Sequence, residues 1–102
     1  MPHAGRMPTL SGKEMVILEL LLDGGEMYGL ELVGSSRRRL KRGTVYVTLQ
    51  RMEEKGYVAS RLQTRPPGAA GLPRRLYQAT AAGRRLYELW TLVRQRLSLE
   101  PA

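Results

Sequence analysis

Hydrophobic residues first concentrate at Met15, Val16, Ile17, Leu18, Leu20, Leu21 and Leu22, directly after Ser11-Gly12-Lys13-Glu14 and directly before Asp23-Gly24-Gly25. The four leading residues fit a capping box, in which a serine hydroxyl takes a first-turn amide and a glutamate reaches back to the cap amide. The two glycines at the far end supply the left-handed conformations on which helices stop. A helix is therefore predicted over roughly 12–23. Its apolar positions run most of the way round the axis, so it needs cover on two sides, one from its own domain and one from elsewhere, with a second subunit the natural source.

A second, shorter apolar segment, Met27-Tyr28-Gly29-Leu30-Glu31-Leu32-Val33, reads as a helix ending near Gly34-Ser35-Ser36, and the basic run Arg37 to Arg42 reads as the turn after it. From Gly43 to Lys55 the residues Val45, Leu49 and Met52 fall at i, i+4 and i+7 and share one face, which predicts a third helix with Thr44, Val47, Gln50, Arg51 and Glu54 turned away from the core. Gly56 closes it, and Tyr57 to Thr64 has strand propensity.

Arg65 to Pro73 carries three prolines and two glycines, too broken for a helix or a central strand, and Arg74 to Ala79 reads as a second short strand. A two-stranded hairpin with a long basic tip follows, and a hairpin in this place is a wing. Thr80 then caps a last helix over about 81–98, whose Leu86, Leu89, Trp90, Val93 and Leu97 repeat at helical spacing with no later helix to cover them. That stripe predicts a dimer seam formed with the first helix, through Leu18, Leu22, Leu86, Leu89, Trp90, Val93 and Leu97.

The predicted fold class is mainly α with a small β-hairpin, an α+β winged helix-turn-helix in the order helix, helix, helix, strand, wing, strand, helix. The expected organisation is a disordered lead-in over 1–10, a DNA-binding domain over 11–79 and a dimerisation helix and tail over 80–102. At 102 residues a single domain is expected, one that buries roughly 60–65% of its unfolded surface.

Charge narrows the partners. Lys and Arg number 17 against 9 acids, a net +8, and such a field favours polyanions, nucleic acid first and an acidic membrane surface second. The longest apolar stretch, Met15 to Leu22, is interrupted by Glu19 and falls far short of the roughly 20 residues of a spanning helix. With no cysteine, a single histidine near the start, no glycine-rich phosphate cradle and no pocketed carboxylate pair, catalytic, metal and cofactor readings lack their parts. A cytoplasmic protein is the expectation.

Four pieces of sequence now stand in order: Met27-Tyr28-Gly29-Leu30-Glu31-Leu32; Gly43-Thr44-Val45-Tyr46; Leu49 through Glu53-Glu54-Lys55-Gly56-Tyr57-Val58; and Gly71 through Arg74-Arg75-Leu76-Tyr77-Gln78-Ala79-Thr80-Ala81-Ala82-Gly83. Together they resemble the PadR family of bacterial transcriptional regulators, over about residues 11–97. The pattern departs from the family at Val47, where many members carry proline, and at Leu76, where an aromatic is common. The resemblance implies a homodimeric repressor of the branch with one C-terminal helix, acting on a pseudo-palindromic operator and relieved by a small aromatic or hydrophobic effector. It also implies that the Tyr46 hydroxyl holds backbone phosphate.

In a winged helix the start of the third helix enters the major groove, which nominates Lys41, Arg42, Thr44, Tyr46, Val47, Gln50 and Arg51, with the wing adding Arg65, Arg74 and Arg75. Gln50 is suited to adenine, arginine to guanine, and Val47 or the Thr44 methyl to a thymine methyl. Bland readings stand beside these. Arg37-Arg38-Arg39 can be a solvated face, Tyr46 a packing aromatic, and Trp90 either plain seam packing or a platform for a flat effector. The competing function is a protein-interaction module, an antirepressor or adaptor, that keeps the fold and binds DNA weakly without preference.

Overall fold

The computed structural model of the protein describes residues 7–64, 68, 71 and 73–99. Its elements follow in the order α1 (Gly12–Gly24), β1 (Met27–Tyr28), α2 (Gly29–Ser35), α3 (Arg42–Glu54), β2 (Val58–Leu62), β3 (Arg75–Ala79) and α4 (Ala81–Leu99). The capping box forms as its residue types require: the Ser11 N–H donates to Glu14 Oε1 (2.8 Å) and the Glu14 N–H to Ser11 Oγ (3.2 Å). At the far ends of α1 and α3 the chain turns through left-handed glycines, Gly25 (φ 81°) and Gly56 (φ 83°).

Helix α1 is the centre of the molecule. It packs on α2, α3, β3 and α4, and Ile17 and Leu18 have no exposed surface at all. Leu32, Val45, Leu49, Met52 and Val58 close the same core, each such side chain contributing about 1.5–3 kcal/mol of burial. The all-round apolar character of α1 is thus largely satisfied within one chain, where the sequence pattern pointed to a partner for one side.

Two further expectations change. Met27 and Tyr28 are a short strand rather than the start of a helix, so the sheet has three antiparallel strands in the order β1-β3-β2, with Tyr28 paired to Leu76 and Ser60 to Tyr77. Two residues are too few to display an alternating pattern, and what fixes them is the free edge of β3. The lead-in also divides: residues 1–6 lie outside the described residues, while Leu10 packs against the core and the Pro8 carbonyl accepts the Trp90 indole N–H (2.8 Å).

Helix α4 starts on a Thr80 cap, whose hydroxyl accepts the Gly83 N–H (3.1 Å). Gly83 is buried there because a Cβ would run into the Tyr57 carbonyl. Beyond Tyr87, which still packs against the core, the apolar residues of the helix become exposed, Leu89, Leu92 and Leu97 to 44%, 61% and 67%. Among the described residues no helix is long and apolar enough to cross a membrane.

Candidate nucleic-acid interface

Helix α3 exists as an amphipathic helix because its apolar residues recur on one side: Val45, Leu49 and Met52 are buried. The rest of its circumference faces water, carrying Tyr46, Val47, Gln50 and Arg51. Val47 and Tyr46 remain 50% and 48% exposed, although a helix docked on a core usually confines its larger apolar groups to the buried side. Lys41 and Arg42, both exposed, lie at the start of α3, which has no side-chain cap. A helix start with free amides beside two cations suits an anion.

The outward face has two flanks. One borders a groove of about 390 Å³ where Thr44, Val47, Thr48, Arg51 and Lys55 meet Lys13 and Glu14 of α1. Lys55 Nζ lies 3.0 Å from Glu14 Oε2, joining the end of α3 to the first turn of α1. Burial works against ionising Glu14, but the Ser11 N–H and Lys55 outweigh it and hold the carboxyl below its ordinary value.

The other flank borders a groove of about 520 Å³ beside the wing, lined by Tyr28, Gly29, Leu30 and Glu31, by Tyr46 of α3, and by Pro73, Arg74 and Arg75. The Tyr46 ring lies on Gly29, where a Cβ would come within 2.5 Å of it. Packing and exposure are therefore both true of Tyr46: the hydroxyl end of its ring rests on Gly29 at the start of α2, and the residue is still 48% exposed.

The two wing arginines part company. Arg74 places its guanidinium over the Tyr28 ring, 4.9 Å from the centroid. Arg75 donates to Ser60 Oγ (3.0 Å), which donates in turn to Glu53 Oε2 of α3 (2.7 Å). Arg61 and Glu26 pair on the surface, and the contact holds the Glu26 carboxyl below its ordinary value. Arg65 lies outside the described residues.

The expected seam residues also separate. Leu18 is wholly buried and Leu86 is 6% exposed, so both belong to the chain's own core and have no surface to give a partner. Leu22, Trp90 and Val93 are half-buried, and Leu89 and Leu97 are exposed. Leu92, outside the predicted stripe, is 61% exposed on the same helix, and Tyr28, in a segment whose pattern reads as helix, lines the groove beside the wing. Lys13 and Lys55 join the groove only in three dimensions.

The model of the transcriptional regulator PadR-like family matches residues 17–89. Among solved structures, a PadR family transcription regulator from hypervirulent Clostridium difficile is 26% identical, covering 86% of this chain and 96% of its own, with a TM-score of 0.69. Bacillus subtilis PadR in complex with operator DNA is 19% identical, covering 82% of this chain and 48% of its own, at a TM-score of 0.70. Bordetella bronchiseptica BpsR, whose DNA binding is regulated by 6-hydroxynicotinic acid, is 19% identical over 96% of this chain and 66% of its own, at 0.68. These last two likenesses bear on the fold. A search of curated protein sequences finds no match.

Proposed function

From the membership of this chain in the transcriptional regulator PadR-like family, a family of DNA-binding regulators and not of enzymes, we propose that it works as a homodimeric, sequence-specific repressor. One observation carries the reading: α3 keeps Val47 and Tyr46 half in water on the side away from its core, between Arg42, Gln50 and Arg51. Exposed apolar groups set among cations and an amide fit the floor of a major groove, where thymine methyls, base edges and phosphates lie together.

In this reading Val47, Gln50 and Thr44 read bases, while Lys41, Arg42, Tyr46 and Arg51 engage phosphates or guanine. Arg74 and Arg75 add the wing contact, with Arg65 further along the tip. The dimer seam is the outer face of α4, through Leu89, Trp90, Val93 and Leu97 together with Leu92, and Leu22 of α1 borders it. Two recognition helices then stand about one DNA turn apart on a pseudo-palindromic operator. Residues 11–79 form the DNA-binding unit and 80–102 the dimerisation unit. The small-molecule control of BpsR supports relief of repression by an aromatic or hydrophobic ligand, with Trp90 the side chain suited to stack on it.

Selection from random duplexes at about 150 mM salt tests this. Enrichment of an inverted repeat with half-sites one turn apart is the expected result. A folded dimer that enriches no sequence overturns it and leaves the protein-interaction module.

A further inference from the structure

The wing leaves the sheet at a point where three contacts close on one another. The last ladder pair is Leu62 with Arg75, and one step beyond it the Gln63 N–H donates to the Arg74 carbonyl (2.7 Å). The Gln63 side chain reaches past that strand to β1, its Oε1 accepting the Tyr28 hydroxyl (2.8 Å). The Tyr28 ring, fixed at its backbone by pairing with Leu76 and at its tip by Gln63, then lies under the Arg74 guanidinium at 4.9 Å.

We infer that Tyr28 and Gln63 are positioning residues for the wing, a platform that holds Arg74 in its DNA-contacting pose before DNA arrives. The inference rests on the DNA-binding reading above and adds to it two residues to which that reading gives no DNA contact. Stacking occupies only the flat face of a guanidinium. Its N–H edges stay free for the bidentate grip on phosphate that makes arginine useful in these interfaces.

The neighbouring acid, Glu31, is engaged elsewhere, its carboxylate accepting the Tyr28 N–H (2.8 Å). Among the described residues no carboxylate lies within ion-pair distance of Arg74, so its charge remains available. Among the described residues Arg74 is the wing cation next to the end of the ladder. Ordering it during folding removes that cost from the binding step.

The test uses the full chain and a fluorescein-labelled duplex of about 30 base pairs and mixed sequence, titrated at several salt concentrations, since phosphate contacts register on any sequence. Arg74→Ala is expected to weaken binding roughly three- to tenfold, the scale of ordering one long side chain, and to lower the salt slope by about 0.9 per subunit. Tyr28→Leu should weaken binding by a similar factor, and the double variant should be no worse than Arg74→Ala alone.

Gln63→Leu, which leaves both ring and guanidinium in place, provides the same comparison should Tyr28→Leu fail to fold. In the free protein the Arg74 side-chain protons should be shifted upfield by the ring, and the shift should vanish in Tyr28→Leu. Losses that multiply in the double variant, or wild-type affinity in Tyr28→Leu, overturn the platform alone. A wild-type chain that leaves the duplex free at low salt overturns the DNA-binding reading and the platform with it.

Discussion

Ser36 has no exposed surface, and its hydroxyl is satisfied twice, donating to the Val33 carbonyl (2.8 Å) and accepting the Leu40 N–H (3.0 Å). Its carbonyl takes the Arg39 N–H (3.1 Å) and the Arg39 Nε (3.0 Å). Around this serine the chain turns through Arg37 (φ 53°) and Arg38 (φ 70°), left-handed conformations that cost a residue with a Cβ about 1 kcal/mol or more. Ser36→Ala strands the buried Leu40 N–H and should therefore cost about 1–3 kcal/mol. Urea unfolding measures it, and a loss under about 0.5 kcal/mol, the level of an ordinary surface substitution, would mean that water replaces the hydroxyl. The sequence places a turn at Arg37–Arg42, but its pattern does not distinguish Ser36 from Ser35. Only its burial and its hydrogen bonds to Val33 and Leu40 make Ser36 the one that ties α2 to the turn before α3.

Among elements, the pairing that matters most for the interface is α1 with α3. The capping box was legible because both of its members lie within four residues, whereas Lys55 meets Glu14 across the fold and no local pattern announces that. Likewise the period of α3 separated its buried and outward faces, while β1 went unread because two residues carry no period. An apolar stripe does not say which neighbour will cover it, and for Leu18 and Leu86 the cover is the chain's own core. The Glu14 contact has a pH signature. A carboxyl whose folded pKa is depressed stabilises the fold fully above its unfolded value, near 4.5, and loses that contribution as pH falls through the folded pKa. Glu14→Gln should be less stable by about 1 kcal/mol at neutral pH, and its stability should fall less steeply than that of the wild type below about pH 4.5. Parallel acid profiles for the two proteins would mean that Glu14 gains nothing from its partners.

For the whole molecule the open matter is what covers α4. Leu89, Leu92 and Leu97 are exposed on the stretch of helix that has left the core, and an apolar run of this kind on a cationic protein points to association through one face and polyanion binding through another. The two properties are linked by arithmetic. If each subunit neutralises about four phosphates, the dimer should bind with a log–log salt slope on the order of −7, and a monomer with about half that. Leu89→Asp places a carboxylate in the proposed seam at a position already 44% exposed in the single chain, so on that proposal it should yield a monomer while leaving the winged domain folded. Sedimentation should then report a monomer, and the salt slope of DNA binding should fall to about −3.5. A dimer that persists with an unchanged slope would move the seam off this face. A monomer that keeps the full slope would mean that one subunit supplies all the phosphate contacts, and that the dimer serves spacing rather than charge.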